Sequence, residues 1–156
     1  MAHRIMLLPV GFGVGLNSVA QGLIHACLQK GINAGHFKPI SQPSRNLLTH
    51  RSNEKKIIAQ TEISNTSISL TYVEQQMGDG KHDIVLEKIV GAFNDFEKNH
   101  DVVIIEGLIP TTRQPYAGRI NRDVAQALTA DIVLVAAPDN DSAEEFEDRL
   151  EVSAET

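Results

Sequence analysis

The chain has 156 residues, 42% of them hydrophobic and 22% charged, which is the profile of one soluble globular domain with its own core. No apolar run reaches the roughly 20 residues that span a bilayer, and the apolar segment at the start is too short for a signal peptide, so we expect a cytoplasmic protein. The single cysteine excludes an intrachain disulfide, and no Cys/His metal pattern occurs. The net charge of −6, with eight acidic residues and one arginine in residues 139–156, argues against nucleic-acid binding.

Four segments have the composition of β-strands. They are residues 4–8, 33–37, 101–106 and 131–136. The first, third and fourth are almost continuously apolar, which is typical of parallel strands that are covered on both faces. The second, "NAGHF", is a weaker strand, and we expect it nearer an edge of the sheet.

Helical patterns separate the strands. They cover residues 18–30, 83–98, 121–128 and 142–152. In the first helix, Val19, Leu23 and Ala26 recur at helical spacing and predict its buried face. In the last helix, Ser142 and Glu145 have the spacing of a capping box.

The region between the second and third strands is less regular. Residues 53–60 and 67–77 are predicted as short helices, and residues 77–82 as a loop. The alternation of strands and helices predicts an α/β fold of three layers, with a mostly parallel sheet, helices on both faces and right-handed crossovers. Four clear strands are fewer than a complete doubly wound domain often has, so we interpret residues 1–156 as one domain of a longer protein.

The stretch "PVGFGVGLNS", residues 9–18, lies between the first strand and the first helix, which is the setting of a phosphate-binding loop. Gly11, Gly13 and Gly15 allow backbone amides to approach an anion in front of a helix N-terminus. The same glycines are equally compatible with a tight turn that needs them for its backbone conformation alone.

Leu16 is the main departure from a phosphate-binding loop, because that loop normally places a lysine after its last glycine. A leucine contributes no charge to the terminal phosphates of a nucleotide, which favours weak anion binding over ATP hydrolysis. Asn17 is a candidate for a helix cap or a hydrogen bond to a ligand. Ser18 is a candidate for the magnesium-binding hydroxyl in a shifted register.

Two charged residues follow other strands at the edge of the sheet where ligands bind. Lys38 follows the second strand and either reaches the same site, partly replacing the missing charge, or lies on the surface. Glu106 ends the third strand, where an acid positions magnesium or a nucleophile. The alternative for Glu106 is a carboxylate bonded to nearby backbone amides.

The glycine loop, "FKPISQP", "VVIIEGLIP" and "INRDVAQALTADIVLV", in this order, resemble the dethiobiotin synthetase-like branch of the P-loop proteins. The N-terminal domain of long bacterial phosphate acetyltransferases is a closer match, and it covers nearly the whole chain. Its signals are "VGLNSVAQGLI" without the loop lysine, "FKPISQP", "SLTYVEQQM" followed by "DIVLEKIVGAF", and "EGLIPT". Each signal is modest alone, and together in this order they are specific.

This resemblance implies a parent enzyme that transfers an acetyl group between coenzyme A and phosphate, with its catalytic residues in a C-terminal domain. It implies that the N-terminal domain is regulatory, linked to control by NADH, pyruvate and phosphoenolpyruvate, and involved in assembling a homo-oligomer. No catalytic residue or metal ligand is therefore assigned to this chain. The expected partners are the remaining domains of the parent enzyme and a weakly bound nucleotide or metabolite effector, with no nucleic acid or membrane.

Three functions are compatible with these residues. The favoured one is a regulatory and assembly domain of a phosphate acetyltransferase. The second is an ATP-dependent enzyme of the dethiobiotin synthetase type, which requires Lys38 to replace the loop lysine and Glu106 to bind magnesium. The third is a pure interaction module, which a site closed by Phe12 and Leu16 would favour.

Overall fold

The described part of the chain is built around a four-stranded sheet in which every pair of neighbouring strands is parallel. A computed structural model describes residues 1–42, 67–111, 114–138 and 141–154. The strands are β1 (His3–Pro9), β2 (Ala34–Phe37), β3 (Ile40–Ser41), β4 (Ile68–Ser69), β5 (Val102–Glu106) and β6 (Asp131–Val135). The sheet has the order β2-β5-β1-β6, and β3 and β4 form a separate parallel ladder of two residues each.

Helices cover both faces of the sheet, as the sequence predicts. They are α1 (Leu16–Gln29), α2 (Leu70–Gly78), α3 (His82–Glu97), α4 (Ala117–Ala127) and α5 (Ala143–Ala154). Neighbouring strand residues such as Ile104 and Ile105 belong to different hydrophobic clusters, because successive side chains of a strand point to opposite faces. One cluster packs against α1, and the other packs against α2, α3 and α4. No helix in the four described ranges is long and apolar enough to cross a membrane.

The first helix differs from its prediction in its start and in its buried face. It begins at Leu16, two residues earlier than predicted, and it buries Leu16, Ala20 and Ile24. Val19 and Leu23, which the spacing assigned to the buried face, are exposed. The prediction was wrong because it excluded Leu16 from the helix, and Leu16 sets the register of the apolar stripe at i, i+4 and i+8.

The other elements agree with the sequence in type and differ at their ends. The helix predicted at residues 121–128 begins at Ala117, and residues 67–77 divide into β4 and α2. The predicted capping box is confirmed, because the Ser142 N–H donates to Glu145 Oε2 (2.8 Å) and the Glu145 N–H donates to Ser142 Oγ (3.3 Å). The predicted helix at residues 53–60 lies outside the described residues.

The burial of the two outer strands, β2 and β6, is the opposite of what the sequence predicts. The prediction that β2 lies at an edge is confirmed, although all four of its residues are buried. β6 was expected to be covered on both faces, but it lies at the other edge, and Ile132 and Val133 are 53% and 42% exposed. Among the described residues, β6 pairs with β1 alone, so nothing there covers its outer side.

Candidate functional site

The strand-exit site consists of the glycine loop at residues 10–15, Lys38, and the Glu106–Gly107 pair. These groups follow the carboxyl ends of β1, β2 and β5. The three ends lie side by side because the three strands are parallel neighbours. Glu106 stands beside Leu7 in the register of β1 and β5. The Gly107 N–H donates to the Leu7 carbonyl (3.0 Å), and a Cβ on residue 107 would lie 2.8 Å from that oxygen. Glycine at 107 therefore allows the two strand exits to approach each other.

The glycine loop has the backbone of a tight turn that ends in a helix. Gly11, Gly13 and Gly15 have φ values of 106°, 73° and 75°, a region that favours glycine. Gly15 is the N-cap residue of α1 and makes no side-chain cap. Asn17 therefore does not cap the helix, which corrects one of its two candidate roles, and the side chains of Asn17 and Ser18 are exposed in the first turn.

Leu16 does not line the strand-exit site. It is 4% exposed and packs in the hydrophobic cluster with Leu7, Ala20 and Ile24. Phe12 in the loop is 65% exposed. The two side chains thus point into the core and into solvent, and they do not close the site together. A lysine at residue 16 would place its ammonium group within or beside an apolar cluster.

Glu106 is the centre of a buried ionic cluster that crosses from β5 to β2. Its Oε2 atom lies 3.1 Å from His36 Nε2, and its Oε1 atom accepts a hydrogen bond of 2.7 Å from Lys38 Nζ. The side chains of Glu106 and His36 are 5% and 4% exposed, and that of Lys38 is about one-third exposed. Lys38 therefore pairs with Glu106, and among the described residues the carboxylate binds these two side chains and not backbone amides.

The cluster holds Glu106 in its ionised form. Burial by itself would raise the pKa of Glu106, but the hydrogen bond from His36 and the charge and hydrogen bond of Lys38 outweigh it, so the pKa of Glu106 is lowered. Because the carboxylate accepts, His36 carries a proton on Nε2. His36 Nδ1 is buried and makes no hydrogen bond within the described part of the chain.

Arg149 brings a cation to the glycine loop, and the sequence analysis missed it. From α5, its Nη1 atom lies 3.4 Å from the Val10 carbonyl and its Nη2 atom 3.1 Å from the Ala137 carbonyl. Nη2 also pairs with Asp141 Oδ2 at 2.6 Å. A Cβ on Gly11 would lie 2.9 Å from Arg149 Nη1, so the guanidinium lies directly against the loop. The available signal was a single arginine among the acidic residues at the end of the chain.

Two amide side chains, also missed, hold the loop that follows Glu106. Asn121 of α4 is buried, accepts from the Leu108 N–H (2.7 Å) and donates to the Leu108 carbonyl (2.8 Å). Gln42 does the same for Ile109, at 2.8 and 3.1 Å. Each amide satisfies both backbone groups of one residue, as a neighbouring strand would. A polar residue on the apolar face of a predicted helix was the signal for Asn121.

The comparison with known proteins places this architecture in a family. The sequence pattern of the AAA domain family matches residues 3–153. The chain belongs to the AAA domain family. The match includes the glycine loop, Lys38, Glu106 and Arg149, so the whole strand-exit site lies within the family domain.

Curated relatives of this AAA domain are named phosphate acetyltransferase. The one from Haemophilus influenzae is 43% identical over 162 residues, covering 99% of this chain and 22% of the relative. Those from Pseudomonas aeruginosa and Escherichia coli are 39% and 33% identical, each covering 98% of this chain and 22% of the relative. The chain thus spans about a fifth of the length of the curated relatives it matches.

The residues of this AAA domain do not fit a magnesium–nucleotide complex of the phosphate-loop type. Such a complex needs a lysine on the terminal phosphates and oxygen ligands for the metal. Here Leu16 is in the core, and both carboxylate oxygens of Glu106 contact nitrogen atoms of neighbouring side chains. In the described ranges, no group of three or more His, Cys, Asp or Glu side chains has the arrangement of a metal site.

Proposed function

We propose that residues 1–156 form the N-terminal regulatory and assembly domain of a phosphate acetyltransferase, and that this domain is not itself catalytic. The parent enzyme would interconvert acetyl-CoA and acetyl phosphate through residues outside the chain. The names of the relatives and their greater length support this proposal. The domain would act in the cytoplasm, within a homo-oligomer.

The observation that carries the proposal is the burial of Leu16 directly behind an intact glycine loop. The loop retains the backbone of a phosphate-binding site, while the residue that should supply its charge packs in the core. An enzyme that cleaves ATP needs charge at that point to stabilise the transition state. Removing this charge lowers the reaction rate on the order of a hundredfold or more. A domain that binds a ligand for regulation has no such requirement.

The pairing of Lys38 with Glu106 opposes the alternative of an ATP-dependent dethiobiotin synthetase-like enzyme. That mechanism requires Lys38 to bind phosphate and Glu106 to bind magnesium. Instead, Lys38 Nζ lies 2.7 Å from Glu106 Oε1, so the two side chains bind each other. Moving Lys38 away would leave the buried Glu106 carboxylate without this cationic partner.

The test compares the longer protein with a version that lacks residues 1–156. We expect the shortened protein to keep acetyl transfer in both directions and to lose most of its response to NADH, pyruvate or phosphoenolpyruvate. The 156-residue chain alone should catalyse neither acetyl transfer nor ATP hydrolysis. ATP turnover by the isolated chain that disappears in the Glu106→Gln variant would overturn the proposal.

A thermal-shift screen of the isolated chain tests for the effector. The ligands are ATP, ADP and NADH, with and without magnesium, together with pyruvate, phosphoenolpyruvate, coenzyme A and phosphate. A ligand at about 100 times its dissociation constant adds about 2.7 kcal/mol of stability, which is several degrees for a domain of this size. A shift with one ligand identifies the effector, and its loss in the Arg149→Ala variant would place the ligand at the glycine loop. The absence of any shift would favour the pure interaction module.

A further inference from the structure

Arg149 of α5 is bonded to the backbone at two strand exits. Its Nη1 atom donates to the carbonyl of Val10, the residue that follows β1, and its Nη2 atom donates to the carbonyl of Ala137, shortly after β6. The Asp141 carboxylate, at the entry to α5, holds the same guanidinium. Because the N–H donors of arginine form a rigid planar fork, these bonds fix α5 against both exits.

Val10, the first residue of the glycine loop, is held through both of its backbone groups. Its N–H donates to the Val135 carbonyl at 2.8 Å, and its own carbonyl accepts the bond from Arg149 at 3.4 Å. Its side chain is buried. The loop therefore begins at a residue that β6 and α5 position together, and a rotation of the peptide between residues 10 and 11 turns that carbonyl away from Arg149.

Gly11 provides the space that the guanidinium occupies. A Cβ on Gly11 would lie 2.9 Å from Arg149 Nη1, which is too close for a van der Waals contact, and the guanidinium would have to move aside. Gly13 also has a positive φ, but a Cβ there would have no atom of another residue within 4 Å beyond its chain neighbours. The two glycines thus share their backbone requirement, and Gly11 alone of the two makes room for Arg149.

The packing of α5 against the rest of the domain is light. None of its 12 residues is buried, and in the described ranges neither hydrophobic cluster contains a residue of α5. Phe146 is half-buried, and its ring centroid lies 5.4 Å from Arg149 Cζ. A helix of this length is marginal in water without tertiary packing. We propose that Arg149 is a latch between the glycine loop and α5: a change in the backbone conformation of the loop releases the guanidinium, and α5 then leaves the domain.

This coupling is independent of the proposed function, because it needs no ligand and no residue outside the chain. Its test is residue-resolved amide hydrogen exchange of the 156-residue chain. Gly11→Ala should speed exchange of the Leu150 amide, in the interior of α5, at least about 10-fold more than Gly13→Ala does. Both substitutions place a side chain on a backbone with positive φ, but only the Cβ at residue 11 meets Arg149. Equal exchange of Leu150 in the two variants would overturn the inference.

A double variant, Gly11→Ala with Arg149→Met, shows whether the arginine transmits the effect. Methionine keeps an apolar stem beside Phe146 and removes the guanidinium fork. Once Arg149 is replaced, we expect Gly11→Ala to change exchange of the Leu150 amide by less than about twofold, because residues 11 and 149 act through one contact. Additive effects of the two substitutions would mean that the loop affects α5 without Arg149, and the inference would be wrong.

The coupling should also act in the reverse direction, since coupling between two sites is reciprocal. We expect Arg149→Met to speed exchange of the Val10 amide at least about 5-fold, relative to the Ile89 amide in the core of α3, which reports global unfolding. The matched control is Arg122→Met, at an exposed arginine of α4, which should leave Val10 exchange unchanged. This measurement needs no substitution in the loop, so it decides the question even if Gly11→Ala does not fold. Unchanged Val10 exchange in Arg149→Met would contradict the latch.

Discussion

The exits of β1 and β5 lie side by side at one edge of the sheet and are stabilised in opposite ways. At the β1 exit, three glycines form the turn and Leu16 anchors it through apolar packing. At the β5 exit, Glu106 is bound by His36 and Lys38, and Asn121 binds the following backbone. The difference shows that residue 16 supplies no charge where a phosphate-binding loop carries its lysine, and that the charge of Glu106 is neutralised by neighbouring side chains.

The largest expected effect is that of Leu16→Lys at the β1 exit. The ammonium group must either enter an apolar cluster or pull α1 outwards, and we expect a loss of about 4 kcal/mol in the free energy of unfolding. Urea denaturation measures it, and Leu16→Met is the control, with a loss below about 1.5 kcal/mol. A Leu16→Lys protein that keeps its stability and gains ATP binding would show that residue 16 faces the site after all.

The next effect concerns Glu106→Ala at the β5 exit. The change leaves His36 and Lys38 without their shared partner, and we expect the free energy of unfolding to fall by about 3 kcal/mol, because Lys38 is partly hydrated and recovers some of its loss. The control is Asp95→Ala, which breaks an exposed ion pair with Lys98 and should leave the urea midpoint unchanged. Equal midpoints for the two variants would mean that the buried cluster does not stabilise the fold.

A smaller effect is expected for Asn121→Ala. The variant leaves the N–H and C=O groups of Leu108 without their partner, which should cost about 2 kcal/mol in the free energy of unfolding. Asn94→Ala, at an exposed residue of α3, is the control and should cost nothing measurable. A small loss for Asn121→Ala would show that other groups or water satisfy the loop, and would reduce the contrast between the two exits.

The smallest effect is a pH dependence that originates at Glu106. Because the pKa of Glu106 is lower in the folded protein than its ordinary value of 4.5, its stabilising contribution is present above pH 4.5 and is lost as the pH falls through the folded value. The free energy of unfolding should therefore decrease more steeply below pH 4.5 in the natural chain than in Glu106→Gln. Denaturation curves at a series of pH values measure both slopes. Parallel slopes would contradict the ionised cluster.

The sequence predicted the fold well because its strongest signals are local. Continuous apolar runs indicated the strands, and the capping box of Ser142 and Glu145 was correct to the residue. The prediction of the buried face of α1 was wrong, because Leu16 was interpreted as part of the glycine-loop motif and was therefore left out of the helix. The prediction that β6 is covered on both faces was also wrong. The composition of a strand indicates what the strand is suited to pack against, but it does not show what lies beside it.

The candidate site was predicted in part. The sequence placed the glycine loop, Lys38 and Glu106 at neighbouring strand exits. The order β2-β5-β1 puts these exits side by side, and Lys38 and Glu106 contact each other. It did not identify His36, Asn121 or Arg149 as their partners. These contacts join residues between 13 and 139 positions apart, so no spacing in the sequence predicts them.

By itself, then, the sequence determined the α/β architecture, the strand exits at which the candidate residues lie and the absence of the loop lysine. These depend on periodicity and on residue identity, which the linear chain carries. Only the tertiary structure decided that Leu16 is core, that Glu106 is already paired with Lys38, and that β6 pairs with β1 alone among the described residues. Each of these depends on which distant segments pack together. The free energy of that packing comes from contacts between residues far apart in the chain.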